Sequence, residues 1–336
     1  MVYKYLKSLL FFIDAERAHN LIFGLAKIAS KLKLVALFGT SIQKPKQLLG
    51  LSFKNQLGVA AGFDKNAEYL AVWEQLGFSF VEVGTVTPRP QDGNQKPRLF
   101  RLLKNESLIN RMGFNNKGVH FMAAKLKNYK GNLVIGCNIG KNKDTPNDKA
   151  YEDYLECFQE LYPFADYFTI NVSSPNTKGL RDLQNHEEMM KILDPILAYR
   201  KENKDRLGEK AILVKLSPDM EKMDFENLVK FLNKKDIQGL VLTNTSIRRD
   251  ILRVKEDGSI NEPGGLSGKM LFEDSNHWLK SARQWMPGKV LIGVGGVDSG
   301  KRAKEKLSLG ADLVQVYTGL VFKGPKLIKE ILKGLG

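Results

Sequence analysis

From residue 57 onward, short apolar runs alternate with helix-length segments about eight times, and this alternation limits the possible folds more than any other feature. The apolar runs fall at 57–61, 79–83, 133–138, 166–171, 211–216, 239–243, 290–294 and 312–316. Segments of helical spacing separate most of them, at 66–76, 116–128, 149–162, 185–201, 222–234, 272–285 and 299–308. Strand then helix, repeated to the end of the chain, predicts an α/β fold, a parallel (β/α)8 TIM barrel. A doubly wound open sheet is the alternative. No GxGxxG follows the first strand, which argues against a dinucleotide-binding sheet.

The polar residues and glycines collect at the C-terminal ends of these strands. The first ends in Gly62, Phe63, Asp64 and Lys65, the second runs into Thr85, and the third and fourth end at Asn138 and Asn171. The fifth carries Lys215, the sixth ends in Thr243, Asn244 and Thr245, the seventh in Gly295 and Gly296, and the eighth in Tyr317 and Thr318. Barrels of this type build their active sites on that face.

The densest stretch is 166–181, an apolar strand that becomes Asn171, Ser173, Ser174, Pro175, Asn176 and Thr177. Taken alone it fits either a buried site, whose polar groups need partners, or an Asx-rich turn. Its neighbours add chemistry. Gly295 and Gly296, with Asp298 and Ser299 opening a helix, can aim backbone N–H groups at an anion, and Gly265 and Gly268 can add more. Lys215 sits in the apolar run AILVKL, where a lysine is costly without an anionic partner. Asn110, Asn138, Asn171, Asn176 and Asn244 offer donors and acceptors suited to a planar heterocycle such as a pyrimidine. Ser174 is the one candidate reactive hydroxyl. None of the four histidines lies near it in sequence, which leaves a Ser-His-Asp hydrolase poorly supported.

The excess of 52 Lys+Arg over 37 Asp+Glu, a formal charge of +15, fits an anionic partner or simply a solvated lysine surface. No RNA-binding motif supports a nucleic-acid partner. Cys137 and Cys157 stand apart from any CxxC or His/Cys cluster, so no metal site is expected. No apolar run approaches the roughly 18 residues that span a bilayer.

Residues 1–40 are apolar but interrupted by lysines. A short helix is predicted over 3–13. A second, N-capped by Asp14, carries Leu21, Leu25, Ile28, Ala29 and Leu32 on one face. Such helices either lie in a membrane interface or pack on the body of the protein. Residues 44–49 read as a linker. The expected division is a helical segment, 1–40, and a barrel domain, 41–336.

The segments AAGFDK (60–65), GTVTPRPQDGN (84–94), KPRLFRL (96–102), INRMGFNN (109–116), NIGKNKDTP (138–146), NVSSPNT (171–177), VKLSPD (214–219), GGLSG (264–268) and VQVYTG (314–319) closely resemble those of dihydroorotate dehydrogenases, in order and spacing. DAERAHNL (14–21), and serine rather than cysteine at position 174, resemble the membrane-associated, quinone-using class (class 2). Gln95, Lys178 and Met270 stand where that family commonly has proline, which leaves loop mobility open rather than the reaction.

The resemblance implies FMN and the conversion of (S)-dihydroorotate to orotate in pyrimidine biosynthesis, with electrons passed to a membrane quinone. It implies Ser174 as the base. Lys65, Asn110, the segment Arg111, Met112, Gly113 and Phe114, and Asn171, Asn176, Asn244 and Thr245 would hold substrate. Ala61, Gly62, Phe63, Asp64, Lys65, Thr85, Asn138 and Asn171 would line FMN from one side. Lys215, Thr243, Gly268, Gly295, Gly296, Tyr317 and Thr318 would line it from the other. His19, Arg101 and Tyr317 would lie near the quinone. The resemblance also implies a monomer held peripherally on the cytoplasmic side of the inner membrane, in contact with its anionic face. A soluble relative using fumarate or a nicotinamide-linked acceptor is the alternative enzyme, and a basic barrel that only binds is the alternative of another kind.

Overall fold

The computed structural model describes residues 2–254 and 259–335. Eight parallel strands follow one another around a closed barrel. They are β1 (Leu57–Val59), β2 (Phe80–Val86), β3 (Val134–Ile139), β4 (Tyr167–Asn171), β5 (Ala211–Leu216), β6 (Gly239–Leu242), β7 (Val290–Val294) and β8 (Leu313–Val316). The last closes on the first, with Val314 opposite Leu57 and Val316 opposite Val59. Nearly every strand residue is buried. One face fills the barrel and the other lies under helices, so these strands are apolar runs rather than alternating ones.

Two helices precede the barrel, α1 (Val2–Phe11) and α2 (Ala15–Lys31). The helices that follow β1 to β5 are α3 (Leu70–Leu76), α4 (Val119–Lys127), α5 (Ala150–Leu161), α6 (His186–Leu207) and α7 (Lys222–Asn233). Then come α8 (Phe272–Trp285), α9 (Gly300–Ser308), α10 (Thr318–Lys323) and α11 (Lys326–Gly334). The helix expected from residue 66 begins only at Leu70. The Asp64 carboxylate takes the Glu68 and Tyr69 amides at 2.7 and 2.8 Å and holds the intervening chain as a turn. Helix α6 outruns its expected end at 201, because Leu207 still packs on the core.

Residues 44–49 are not a linker. Lys46–Leu48 pairs antiparallel with Leu51–Phe53, turning at Leu49 and Gly50, both with positive φ as a tight hairpin turn requires. The strands are too short to show alternation. Phe53 is fully buried against Phe80, ring centroids 5.5 Å apart, so the hairpin plugs the end of the barrel opposite the strand C-termini.

At the other end, Leu99–Leu102, Ser107–Asn110 and Gly265–Gly268 form a three-stranded antiparallel sheet. The N-terminal helices lie beside it. Asp14 caps α2 by accepting from the Arg17 amide at 2.9 Å. The first helix stops at Phe11, two residues short of its expected end, and Arg101 donates to the Ile13 carbonyl at 2.7 Å. Phe23 of α2 packs on Phe63, Tyr69 and Trp73, while Leu21, Leu25, Ile28 and Leu32 remain exposed. The extension therefore packs on the body with one apolar face and presents a second outward.

Candidate active site

One cavity opens at the C-terminal ends of the barrel strands, and every one of the eight strands or the loop after it contributes to the cavity or its floor. The floor is a buried network of amides and hydroxyls. Asn171 Nδ2 donates to Thr85 Oγ1 at 2.8 Å and to Asn138 Oδ1 at 3.1 Å. Asn138 Nδ2 donates to Glu82 Oε1 at 2.7 Å. Asn244 Nδ2 reaches Ser173 Oγ at 2.9 Å, and Ser173 Oγ donates to Asn171 Oδ1 at 2.9 Å. Above it Asn176 donates to Asn110 Oδ1 at 3.2 Å, and Asn110 donates to the Gly265 carbonyl at 3.2 Å. The amide set expected from sequence thus forms two groups, Asn138, Asn171 and Asn244 in the floor and Asn110 with Asn176 above it.

Most of the expected residues line the cavity: Ala61, Gly62, Lys65, Thr85, Asn110, Met112, Gly113, Phe114, Asn171, Ser174 and Asn176 on one side of the chain order. Lys215, Thr243, Asn244, Thr245, Gly268, Gly295, Gly296, Tyr317 and Thr318 complete it. Four lie behind the wall. Phe63 packs on Tyr317, His19 and Trp73. Asp64 is spent on the turn before α3, and burial pushes its carboxyl up to about 6. Asn138 supports Asn171 from below. Arg111 turns outward to pair with Glu262 and cover the Phe100 ring, so only the backbone beyond it faces the cavity.

Sequence reasoning passes over Glu82. It is fully buried on β2, accepts from Asn138, from Thr169 at 3.1 Å and from Gln315 at 2.9 Å, and stands 3.8 Å from Lys215 Nζ. The only signal available was the closed-barrel reading itself, since SFVEV taken alone alternates and would send the glutamate to solvent. Burial pushes the Lys215 ammonium down and Glu82 opposes it. Lys215 thus has the Glu82 carboxyl group behind it and its head at the cavity.

The anion-binding end differs in detail from expectation. The first turn of α9 is already capped: Ser299 Oγ accepts from the Arg302 amide, and Asp298 lies 3.5 Å from Arg302. The turn at Gly295 and Gly296 is what lines the cavity. Both have positive φ, and a Cβ on Gly296 would fall 2.8 Å from the Phe272 amide nitrogen. A Gly296→Ala variant is therefore expected to lose about 1–2 kcal/mol of stability or more, because its φ disfavours a side chain and the Phe272 backbone would have to shift. Chemical denaturation beside wild type measures it.

An aromatic path leads from the cavity to the extension. Tyr317 packs tilted against Phe63 at 4.4 Å, and His19 lies 5.5 Å from Phe63 and 4.7 Å from Phe23. Burial, with Lys65 adding to it, pushes His19 down to about 3, so this imidazole is neutral. Arg101 lies over the Phe11 ring, and its Nε is buried without a partner.

The residues fit a flat cofactor bearing a phosphate: a glycine turn for an anion, a buried lysine, and an amide and hydroxyl floor. The comparisons with known proteins give the family. Residues 45–336 match the family described as dihydroorotate dehydrogenase. A protein of Shewanella loihica named dihydroorotate dehydrogenase (quinone) is 44% identical over 99% of this chain and 98% of its own. One of the same name from Psychrobacter arcticus is 44% identical over all of this chain and 98% of its own. The crystal structure of the Eimeria tenella DHODH with ferulenol superposes with a TM-score of 0.87 at 34% identity, covering 96% of this chain and 90% of that one. With the family matched over residues 45–336 and 44% identity to named relatives over nearly the whole chain, this chain belongs to the dihydroorotate dehydrogenase family.

Proposed function

We infer that this chain oxidises dihydroorotate to orotate and passes the electrons to a quinone, in pyrimidine biosynthesis. One observation carries the reading: the amide-lined cavity and the aromatic path from the N-terminal helices meet at Tyr317. The barrel end alone would serve an enzyme with a soluble acceptor. Adding dihydroorotate without air to the yellow protein should bleach the flavin bands, and a long-chain quinone should restore them. Restoration by fumarate and not by quinone would favour the soluble class instead.

The cofactor is FMN in this reading, which when bound supplies a two-electron acceptor. Gly295, Gly296 and Thr318 would take its phosphate, and Lys215 and Thr85 its ring edge. Asn110, Asn176, Asn244 and Thr245 would hold the pyrimidine, with the segment after Asn176 as a lid. Ser174, only 6% exposed, would receive the proton released from the substrate carbon.

Lys65 would face the substrate carboxylate. Burial pushes its ammonium down to about 8, with Glu16 and Asp64 opposing and Arg98 adding to the fall. The charged form exists below that value and is lost above it. Orotate affinity, read from the flavin spectrum, is therefore expected to hold below pH 8 and to fall as pH rises through it.

For the quinone, the unpartnered Nε of Arg101 and neutral His19 support a head-group position between α1 and the barrel. Leu9, Phe12, Leu25, Ile28, Leu32 and Leu37 are exposed on the extension. No helix among the described residues is long and apolar enough to cross a membrane. We read residues 1–40 as the segment that rests in the membrane interface, and 41–336 as the catalytic domain, a monomer on the cytoplasmic side of the inner membrane.

A further inference from the structure

Behind the glycine turn that follows β7 lies a lysine out of reach of solvent. Lys306, on α9, is fully buried, and its Nζ donates to two side chains of α8, Ser275 Oγ at 2.7 Å and Asn276 Oδ1 at 2.9 Å. Its stem passes beside β7, where a Cβ on Gly293 would fall 3.1 Å from Lys306 Cδ. Among the described residues it has no carboxylate partner, and Glu305, its neighbour in sequence, accepts from Asn276 Nδ2 at 3.3 Å instead. Burial pushes the ammonium down to about 7; Glu305 and Glu273 oppose the fall and Arg302 adds to it. A buried lysine held by neutral groups is costly, and an apolar side chain of the same length would fill the space without that cost.

The contacts lead from this lysine to the cavity wall. Ser275 Oγ lies 3.1 Å from the Gly295 carbonyl and 3.0 Å from that of Phe272, and its proton is directed to them because Lys306 donates to its oxygen. Arg302, one turn before Lys306 on α9, donates from Nη1 to the Gly296 carbonyl at 3.2 Å. Two cations of one helix thus hold both carbonyls of the glycine turn, one through Ser275 and one directly. A trans peptide carries its N–H on the edge opposite its C=O, so the amides of Gly296 and Val297 point the other way. Both residues are buried and line the cavity, and neither amide has a hydrogen-bond partner among the described residues. Buried amides without partners are rare, and two adjacent ones make an anion-binding concavity.

We propose that Lys306 is a positioning residue for the cofactor phosphate: through Ser275 it pins the Gly295 carbonyl, and with it the Gly296 amide, in the orientation that receives a phosphate ester. The proposal rests on the functional reading above, in which this turn takes the FMN phosphate. Lys306 is not itself part of the cavity wall. It acts through the hydroxyl, because a cation donating to Ser275 Oγ polarises that hydroxyl and strengthens the bond it makes onward to Gly295. An anion across the turn in return favours the ammonium form that burial opposes.

The test uses the holoprotein. It is equilibrated with an excess of riboflavin, which has the same ring system and no phosphate, and the bound flavins are then released and quantified. The exchange constant between FMN and riboflavin cancels any loss that the two flavins share. Wild type is expected to prefer FMN. Lys306→Met should move the constant toward riboflavin by about tenfold or more, the size of one hydrogen bond to a charged group. A lysine that only fills the space between α8 and α9 would weaken both flavins alike, and an unmoved constant overturns the proposal. Ser275→Ala keeps the lysine and cuts its link to Gly295. It should shift the constant in the same direction, and an unmoved constant there overturns the proposal even if Lys306→Met fails to fold. Wild-type protein that holds riboflavin as tightly as FMN, or holds no flavin, would overturn the functional reading of this end of the cavity instead.

Discussion

Ser174→Ala is expected to keep its flavin and its fold while losing about 10²-fold or more in turnover, the usual size of a lost general base. The two adjacent serines are not equivalent. Ser173 Oγ is committed, donating to Asn171 and accepting from Asn244. Ser174 Oγ accepts one bond, from the Asn176 amide at 3.2 Å, and it lines the cavity. A hydroxyl is a weak base in water. Here it is only 6% exposed in the cavity wall, where only the substrate proton need be transferred. The check is the anaerobic rate of flavin bleaching by dihydroorotate, which omits the quinone step. Near-normal bleaching in the variant would falsify the assignment. Ser173→Ala should instead weaken orotate binding, because it breaks the floor that holds Asn171 and Asn244 together.

Lys215→Met is expected to be the most destabilising single change at the site. It leaves Glu82 fully buried with three neutral donors and no cation. Removing one member of a buried pair typically costs about 3–5 kcal/mol, whereas replacing both is close to neutral. Lys215→Met combined with Glu82→Gln should therefore recover most of the loss, although the cavity would still lack its cation. Chemical denaturation of the three variants beside wild type measures the coupling. A double variant that loses the sum of the two single losses would show that the two side chains act independently.

Much of this was legible because a parallel barrel writes itself plainly. Strands buried on both faces, such as AILVKL, are uniformly apolar, so Lys215 stood out at once. Glu82 did not, because SFVEV resembles an alternating strand whose glutamate faces water. In a closed barrel that position points inward instead. The turn held by Asp64 hid the start of α3, and Lys46–Leu48 was too short to show a period. Phe63, Asp64 and Asn138 belong to the right loops and strand but stand one layer behind the cavity, a distinction no spacing rule carries. The Glu16–Arg98 pair joins residues 82 apart, and such a contact exists only once the chain has folded.

The two ends of the chain also meet. Tyr3 Oη donates to the Val321 carbonyl at 2.6 Å across 318 residues, and β8 pairs with β1. Translation delivers these partners in the wrong order for convenience. Helices α1 and α2 leave the ribosome before the barrel, yet their docking surface is finished only when the last barrel strand and α10 have emerged. Throughout that interval their apolar faces have no protein to cover them. The extension reaches its final seat only once β8 and α10 are in place.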